Sequence, residues 1–136
     1  ADFIGSDLAG ARFDGAKMAA ADLQEAQAQK ASFVGVDLRG AKLRKTNFTD
    51  AVLRGADLRA VELRRANLTR ADLSGAHLGD AVVLEARFTE AILAHAQLHG
   101  VDIRLAIGLT DEQKAAALGV GEQGSGWLTK LIMRFR

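Results

Sequence analysis

Residues 1–25 read ADFIG SDLAG ARFDG AKMAA ADLQE, and this five-residue repeat is the feature from which the fold can be predicted. The repeat continues without insertion to Leu105, which makes 21 consecutive units. The first position is Ala in 16 units, and the third position is Leu in 12 and Phe in 5. The other three positions are mostly polar, charged or glycine. The chain therefore carries an internal repeat, which constrains its architecture before any other feature does.

This repeat fits neither an α-helix nor a flat β-strand. At about 100° per residue, a five-residue step in a helix would scatter the third-position side chains around the whole cylinder. Strand side chains alternate with a period of two, so an odd repeat would turn successive units to opposite sides. If the chain bends once per unit, however, the first and third residues of every unit can point toward one axis. The sequence therefore predicts a coil of short extended sides, with Ala and Leu or Phe inside.

A 20-residue recurrence indicates how many sides the coil has. Gly15, Gly35, Gly55 and Gly75 fall at this spacing, in the fifth position of their units. A bend that needs a positive φ favours glycine, so this column is expected to mark one set of corners. Four five-residue units per turn would give the observed recurrence.

Units such as ADLRA, ANLTR, ADLSG and ADLQE follow the pattern A-[D/N]-[L/F]-x-x, which resembles the pentapeptide-repeat family. The resemblance covers residues 1–105, about three quarters of the chain. It implies an all-β solenoid, namely a right-handed quadrilateral β-helix with four units per coil and a short α-helical tail. With adjacent strands about 4.8 Å apart, the coils would form a prism about 25 Å long.

The sequence after Leu105 divides into three shorter segments. We interpret residues 106–119 as a helical cap, because Thr110-Asp111-Glu112-Gln113 is typical of a capping box and Gly119 of a helix end. The composition of residues 120–126 predicts a flexible linker. Residues 127–136 read WLTKLIMRFR, which predicts an amphipathic basic helix.

The apolar face of that last helix is a candidate for oligomerisation or capping. It consists of Trp127, Leu128, Leu131, Ile132 and Phe135. It could dock on the end of its own coil, pair two chains as a homodimer, for which the family offers a precedent, or adsorb to an anionic membrane surface. Val82, Leu84 and Ile92 point outward by register and are expected to receive this helix, with a partner protein as the alternative.

Composition excludes several classes of protein. The chain has no Cys, which removes disulfide scaffolds, thiol nucleophiles and Cys-based zinc sites. No apolar run approaches the ~20 residues that span a bilayer, and the start does not resemble a secretory signal, so we expect a cytoplasmic protein. Ala1 begins in register without a capping segment, so we expect the N-terminal coil to contact a second copy or an upstream domain.

Catalytic chemistry is not indicated by any motif. The three histidines, His77, His95 and His99, have no clear third ligand at a metal-binding spacing. No Ser/His/Asp set and no glycine-rich phosphate loop is apparent from spacing. We therefore expect a protein that is not an enzyme and needs no cofactor or metal.

Charge is the most informative variable. Residues 39–70 carry nine Lys/Arg against three Asp/Glu, whereas residues 1–38 and 71–105 each carry three more acids than bases. This basic belt consists of Arg39, Lys42, Arg44, Lys45, Arg54, Arg59, Arg64, Arg65 and Arg70. Stacking of Arg44 on Arg64 and of Lys45 on Arg65 would place four cations at one edge.

The belt has two interpretations. Either Asp50, Asp57, Glu62 and solvent neutralise it, or it docks an acidic protein surface or phosphates. Nucleic acid is the weaker alternative, because no aromatic residues interleave the cations and acidic coils flank them.

The leading functional hypothesis is a non-catalytic scaffold for protein–protein interaction that presents this belt to an unidentified, acidic protein partner. The resemblance also implies an alternative, inhibition or protection of DNA gyrase by mimicry of duplex DNA. That mechanism needs a strongly acidic surface, whereas the net charge here is +1 and the middle of the repeat is basic. A further alternative is a structural module of a larger protein.

Overall fold

The computed structural model describes residues 2–117, and this stretch is a stack of coils followed by one helix, α1 (Asp111–Ala117). The extended sides of the coils are too short to form continuous β-strands. Isolated parallel bridges instead join second-position residues 20 apart, from Asp2–Asp22 to Arg87–Ile107. A turn closes each five-residue unit, so one coil contains four units, as the 20-residue recurrence predicts. The predicted repeat solenoid is confirmed.

Backbone hydrogen bonds hold each unit to the coils on either side. In the unit 41–45, the Lys42 N–H donates to the Ala21 carbonyl at 2.9 Å and the Leu43 N–H to the Glu62 carbonyl at 2.8 Å. Neighbouring strands joined in this way lie about 4.8 Å apart. Equivalent side chains in successive coils are therefore separated by this same distance along the axis. They form columns on the surface of the coil.

The core consists of the first- and third-position side chains, as the pattern predicts. Leu43 is 0% exposed and Leu63 is 1% exposed in the middle of the stack. Thr46 is a polar residue at a first position with no exposed surface, and its hydroxyl donates to the Leu23 carbonyl at 2.7 Å. This hydrogen bond allows a threonine to replace alanine inside the coil, because the buried hydroxyl is satisfied.

Every corner from residue 5 to residue 100 has a positive φ at the fifth position, whether or not the residue is glycine. Lys45 has a φ of 57° and Arg65 a φ of 58°. The glycine column therefore marks only part of a rule that applies to all four corners. A non-glycine residue in this region costs on the order of 1 kcal/mol, so the stacked coil imposes a conformation that the local sequence disfavours.

The preference for Asp or Asn at the second position has a local cause. The Asp37 carboxylate accepts a hydrogen bond from the Arg39 N–H at 3.2 Å, and Asn47 accepts one from the Thr49 N–H at 3.0 Å. Short side chains with an oxygen acceptor stabilise a turn two residues ahead in this way. The second position therefore serves the corner rather than any chemistry.

The coil continues slightly beyond the repeat and ends against α1. The Phe88 N–H still donates to the Ile107 carbonyl at 2.7 Å, two residues past Leu105. The predicted capping box is confirmed, because the Thr110 N–H donates to Gln113 Oε1 at 2.9 Å and the Gln113 N–H to Thr110 Oγ1 at 3.1 Å.

Several sequence predictions lie outside the described residues. They are the helix end at Leu118 and Gly119, the linker 120–126 and the amphipathic helix 127–136 with Trp127, Leu128, Leu131, Ile132 and Phe135. Within residues 2–117, no helix is long and apolar enough to cross a membrane.

Candidate functional site

The cations of the basic belt are distributed over all four faces of the coil. We call face 1 the side formed by residues 2–5 and by units 21–25, 41–45, 61–65, 81–85 and 101–105. Face 4 is the side formed by units 16–20, 36–40, 56–60, 76–80 and 96–100. Face 1 carries Lys42, Arg44, Lys45, Arg64 and Arg65, and face 4 carries Arg39 and Arg59, whereas Arg54 and Arg70 belong to the two other faces.

The two arginines of face 4 are neutralised by neighbouring aspartates. Arg39 Nη2 lies 2.8 Å from Asp37 Oδ2, and Arg59 Nη2 lies 2.6 Å from Asp57 Oδ2. Arg39 Nε also lies 3.7 Å from Asp57, which links the two coils. The hydrogen bond from Arg39 holds the pKa of Asp37 at about 2, and the hydrogen bond from Arg59 lowers the pKa of Asp57. Face 4 is therefore locally balanced in charge.

The arginines of the two remaining faces are also paired. Arg70 Nε lies 2.8 Å from Asp50 Oδ1, and this hydrogen bond lowers the pKa of Asp50. Arg54 pairs with Asp72 through its Nε. Neutralisation by acidic neighbours therefore accounts for a large part of the belt, including the expected roles of Asp50 and Asp57.

Four cations on face 1 form no such contact, namely Lys42 and three residues toward the edge of the face. The side chains of Arg44, Lys45 and Arg64 are exposed and have no hydrogen-bond or ion-pair partner among residues 2–117. We call these three residues the cation patch. Arg44 and Arg64 are in successive coils, because the Lys45 N–H donates to the Arg64 carbonyl at 2.9 Å. The patch therefore concentrates unneutralised positive charge at one edge.

Arg65, the fourth cation expected at this edge, differs from the other three. Its Nε lies 2.9 Å from Glu85 Oε2, so its charge is offset within the chain. Lys42 lies beside the cation patch and acts on Asp22 by charge alone, with no ion pair within 4.0 Å. The expectation that Glu62 neutralises the belt is not met, since Glu62 forms no ion pair within the described chain.

A short sequence signal identifies the arginines that are paired within their own unit. Arg39 and Arg59 each follow an aspartate by two residues, as in Asp37-Leu38-Arg39, and each binds that aspartate. Arg44 follows Lys42 and Arg64 follows Glu62 at the same spacing, so the short carboxylate is missing. The residue two positions earlier therefore predicts pairing within a unit, which charge counting over a window does not detect. It does not predict the pairing of Arg54, Arg65 and Arg70 with carboxylates of other units.

An apolar recess lies above the cation patch on the same face. It has a volume of about 200 Å³ and is lined by Val82, Val83, Leu84, Leu105 and Asp102. Val82 is 36% exposed and Leu105 is 60% exposed, so the recess has an apolar rim. The five-residue register predicts that Val82 and Leu84 face outward. It gives no sign that Leu105, which closes the coil at a corner, joins them in the recess. Ile92, the third apolar residue expected to face outward, is exposed but is not part of this recess.

One of the three histidines, His77, has a structural role in the described chain. His77 Nδ1 accepts a hydrogen bond from the Gly79 N–H at 3.1 Å and thus takes the role that Asp has in other units. Within residues 2–117, no group of three or more His, Cys, Asp or Glu side chains could hold a metal ion.

A family model described as pentapeptide repeats, in eight copies, matches residues 1–33, 31–70 and 66–104. The chain belongs to the pentapeptide-repeat family. The resemblance deduced from the A-[D/N]-[L/F]-x-x units is therefore confirmed.

Solved structures of other pentapeptide-repeat proteins resemble this one. The protein Rfr23 from the cyanobacterium Cyanothece is 27% identical with a TM-score of 0.64, over 69% of this chain and 63% of that protein. A pentapeptide-repeat protein from the Arabidopsis thaliana thylakoid lumen is 24% identical with a TM-score of 0.60, over 97% of this chain and 90% of that one. Trypsin-treated QnrB1, a plasmid-mediated fluoroquinolone resistance protein, is 24% identical with a TM-score of 0.51, over 79% of this chain and 65% of that one.

These similarities establish the fold of the pentapeptide-repeat protein rather than its partner. The chain spans less than two thirds of Rfr23, and the other two structures are less than 25% identical to it. No curated protein matches the chain.

Proposed function

We propose that this pentapeptide-repeat protein is a non-catalytic scaffold that docks an acidic protein surface on face 1. The observation that supports this proposal is the contrast between the cation patch and the rest of the belt. Arg39, Arg54, Arg59, Arg65 and Arg70 each have a carboxylate partner within the chain. The cations of the patch have none in the described chain, so a partner's carboxylates can bind them without breaking an existing pair.

A protein partner is favoured over nucleic acid by what surrounds the patch. Glu62 and Glu85 are exposed on the same face, so a long polyanion would meet carboxylates as well as cations. The five phenylalanines of residues 2–117 occupy third positions and pack inward, so none is placed to stack on a base. A partner with locally grouped carboxylates fits this face better than a continuous phosphate backbone does.

Binding of an oligoglutamate peptide tests this proposal. Fluorescence anisotropy should show binding that weakens steeply with salt and falls about tenfold in Arg44→Ala/Arg64→Ala, if each contact contributes on the order of 0.7 kcal/mol. Arg39→Ala/Arg59→Ala is the matched control, because it removes two arginines at the same 20-residue spacing from face 4. Equal losses in the two double variants would show that net charge alone, and not the cation patch, governs binding.

Gyrase mimicry is the less favoured candidate. The similarity to QnrB1 supports a common fold only, and the middle coils present unpaired cations where a mimic of duplex DNA needs acids. A supercoiling assay tests this candidate directly, and inhibition or protection of gyrase at low protein excess would replace the scaffold hypothesis.

We propose three further properties that agree with this function. The coil is right-handed, the protein acts in the cytoplasm, and an end of the stack contacts a second copy or another part of a larger protein. Phe3, Leu8 and Phe13 are only half-buried in the first coil, which supports a contact there. Analytical ultracentrifugation of the wild type against Phe3→Ser tests the homodimer, since a monomer in both cases would exclude this contact between copies.

A further inference from the structure

The cation patch and the apolar recess are parts of one continuous column. In the fourth position of face 1, successive coils present Arg44, Arg64, Leu84 and Arg104. The bridges Lys42–Glu62 and Glu62–Val82, each 20 residues apart, stack the first three of these coils in this order. The Glu85 N–H donates to the Leu105 carbonyl at 2.9 Å, which stacks the coil of Arg104 next. Two cations are therefore followed by an apolar side chain along the axis of the solenoid.

The recess next to Leu84 is suited to one aliphatic side chain. Its volume of about 200 Å³ is below the roughly 300–1,000 Å³ of sites that enclose small molecules. Asp102 is the one charged residue of its lining, and Arg104 Nη2 lies 2.8 Å from the Asp102 carboxylate. An apolar side chain entering the recess therefore meets Val82, Leu84 and a carboxylate whose charge is already offset.

The spacing of the two features sets the sequence that fits them. The point midway between Arg44 and Arg64 is two coil heights, about 9.6 Å, from the point midway between Leu84 and Arg104. An extended peptide rises about 3.3 Å per residue, so about three residues cover this distance. Because its side chains alternate between two sides, the carboxylates on the same side as the aliphatic residue lie two and four residues before it. We propose that face 1 binds an extended peptide segment in which an acidic run precedes one aliphatic side chain, with carboxylates two and four residues before it. This inference rests on the proposed function and specifies the partner that the cation patch selects.

Other anionic partners fit this column less well. Glu62 and Glu85 lie on the same face at the level where the column changes from cations to apolar residues. A phosphate backbone or an anionic membrane would carry negative charge past both carboxylates, which is unfavourable. A peptide whose charge ends at the level of Arg64 avoids Glu85 and passes only Glu62.

A peptide series on the full chain tests the inference. Each fluorescent peptide contains a short glutamate run, and one leucine is moved stepwise away from that run in a Gly/Ser background. A peptide without leucine is the reference. We expect the leucine to increase affinity about tenfold where glutamates stand two and four residues before it, and much less where the run ends more than four residues away.

Two variants locate the effect. Leu84→Asn should remove the gain from leucine but leave binding of the reference peptide unchanged. Ile92→Asn is the matched control, because Ile92 is 50% exposed and lies outside the recess. This control should retain the full gain.

The outcomes separate this inference from the function on which it rests. If the reference peptide binds and leucine adds nothing at any spacing, the inference is overturned and the scaffold proposal stands. If the reference peptide does not bind either, both are overturned. Tighter binding to duplex DNA or to phosphatidylserine vesicles than to the best peptide would assign the column to that class of partner instead.

Discussion

Reversing the charge of Arg44 should stabilise the protein, although Arg44 belongs to the cation patch that we propose binds the partner. Arg44 lies one coil from Arg64, next to Lys45 and two residues after Lys42, and it has no carboxylate partner in the described residues. Two unit charges about 4.8 Å apart interact by roughly 0.9 kcal/mol in a water-like dielectric. Arg44→Glu turns such repulsion into attraction, and for exposed cross-strand pairs about 0.5 kcal/mol of net gain is a realistic magnitude.

Urea unfolding followed by far-UV circular dichroism measures this gain. With a denaturant slope of about 2 kcal/mol per molar, the midpoint should rise by about 0.3 M urea. Arg59→Glu is the control and should lower the midpoint, because it removes the 2.6 Å contact with Asp57 and places two carboxylates together. Both shifts should shrink at about 1 M salt, where the Debye length is about 3 Å. A midpoint for Arg44→Glu that falls as far as that for Arg59→Glu would refute the unpaired cation patch.

Three further predictions concern the coil and its cap. Hydrogen bonds from arginines lower the pKa of Asp37 and of Asp102 to about 2, below the usual 3.8. The stability that these two carboxylates contribute should be complete above about pH 4 and lost as the pH falls toward 2. Acid unfolding of Asp37→Asn should lack part of this pH dependence. Leu63→Ala should lower the free energy of unfolding by about 3 kcal/mol, measured in urea, because Leu63 is 1% exposed between two coils. Thr110→Ala should weaken hydrogen-exchange protection of α1 by about 1 kcal/mol, because it removes the 3.1 Å capping bond.

The fold was predictable from the sequence because each unit repeats the same physical problem. Ala and Leu at the first and third positions identify the core, and the Thr110 capping box identifies the start of α1. The corners were predicted only in part. A glycine in the sequence indicates a positive φ because it lacks a side chain, whereas Lys45 adopts the same conformation only because the stacked coil imposes it. Local sequence carries no signal for a conformation that tertiary packing enforces.

The candidate site was predictable as a region but not as a set of residues. Charge counting locates an excess of cations in the middle coils, but it treats Arg59 and Arg64 alike. The structure separates them, since Arg59 reaches Asp57 within its own unit and Arg64 follows a glutamate that makes no ion pair within residues 2–117. The recess depends on Leu105, whose position at a corner becomes apparent only when the coils are stacked.

Chemical-shift mapping of the peptide-binding surface on the protein is the most direct test of a docking site at the cation patch. The backbone amide resonances of the ¹⁵N-labelled protein are followed while an oligoglutamate peptide is added. We expect the largest shifts on face 1, in the units 41–45 and 61–65, with small shifts at Arg39 and Arg59. Shifts of equal size on face 4, or spread over all four faces, would contradict a docking site at the cation patch.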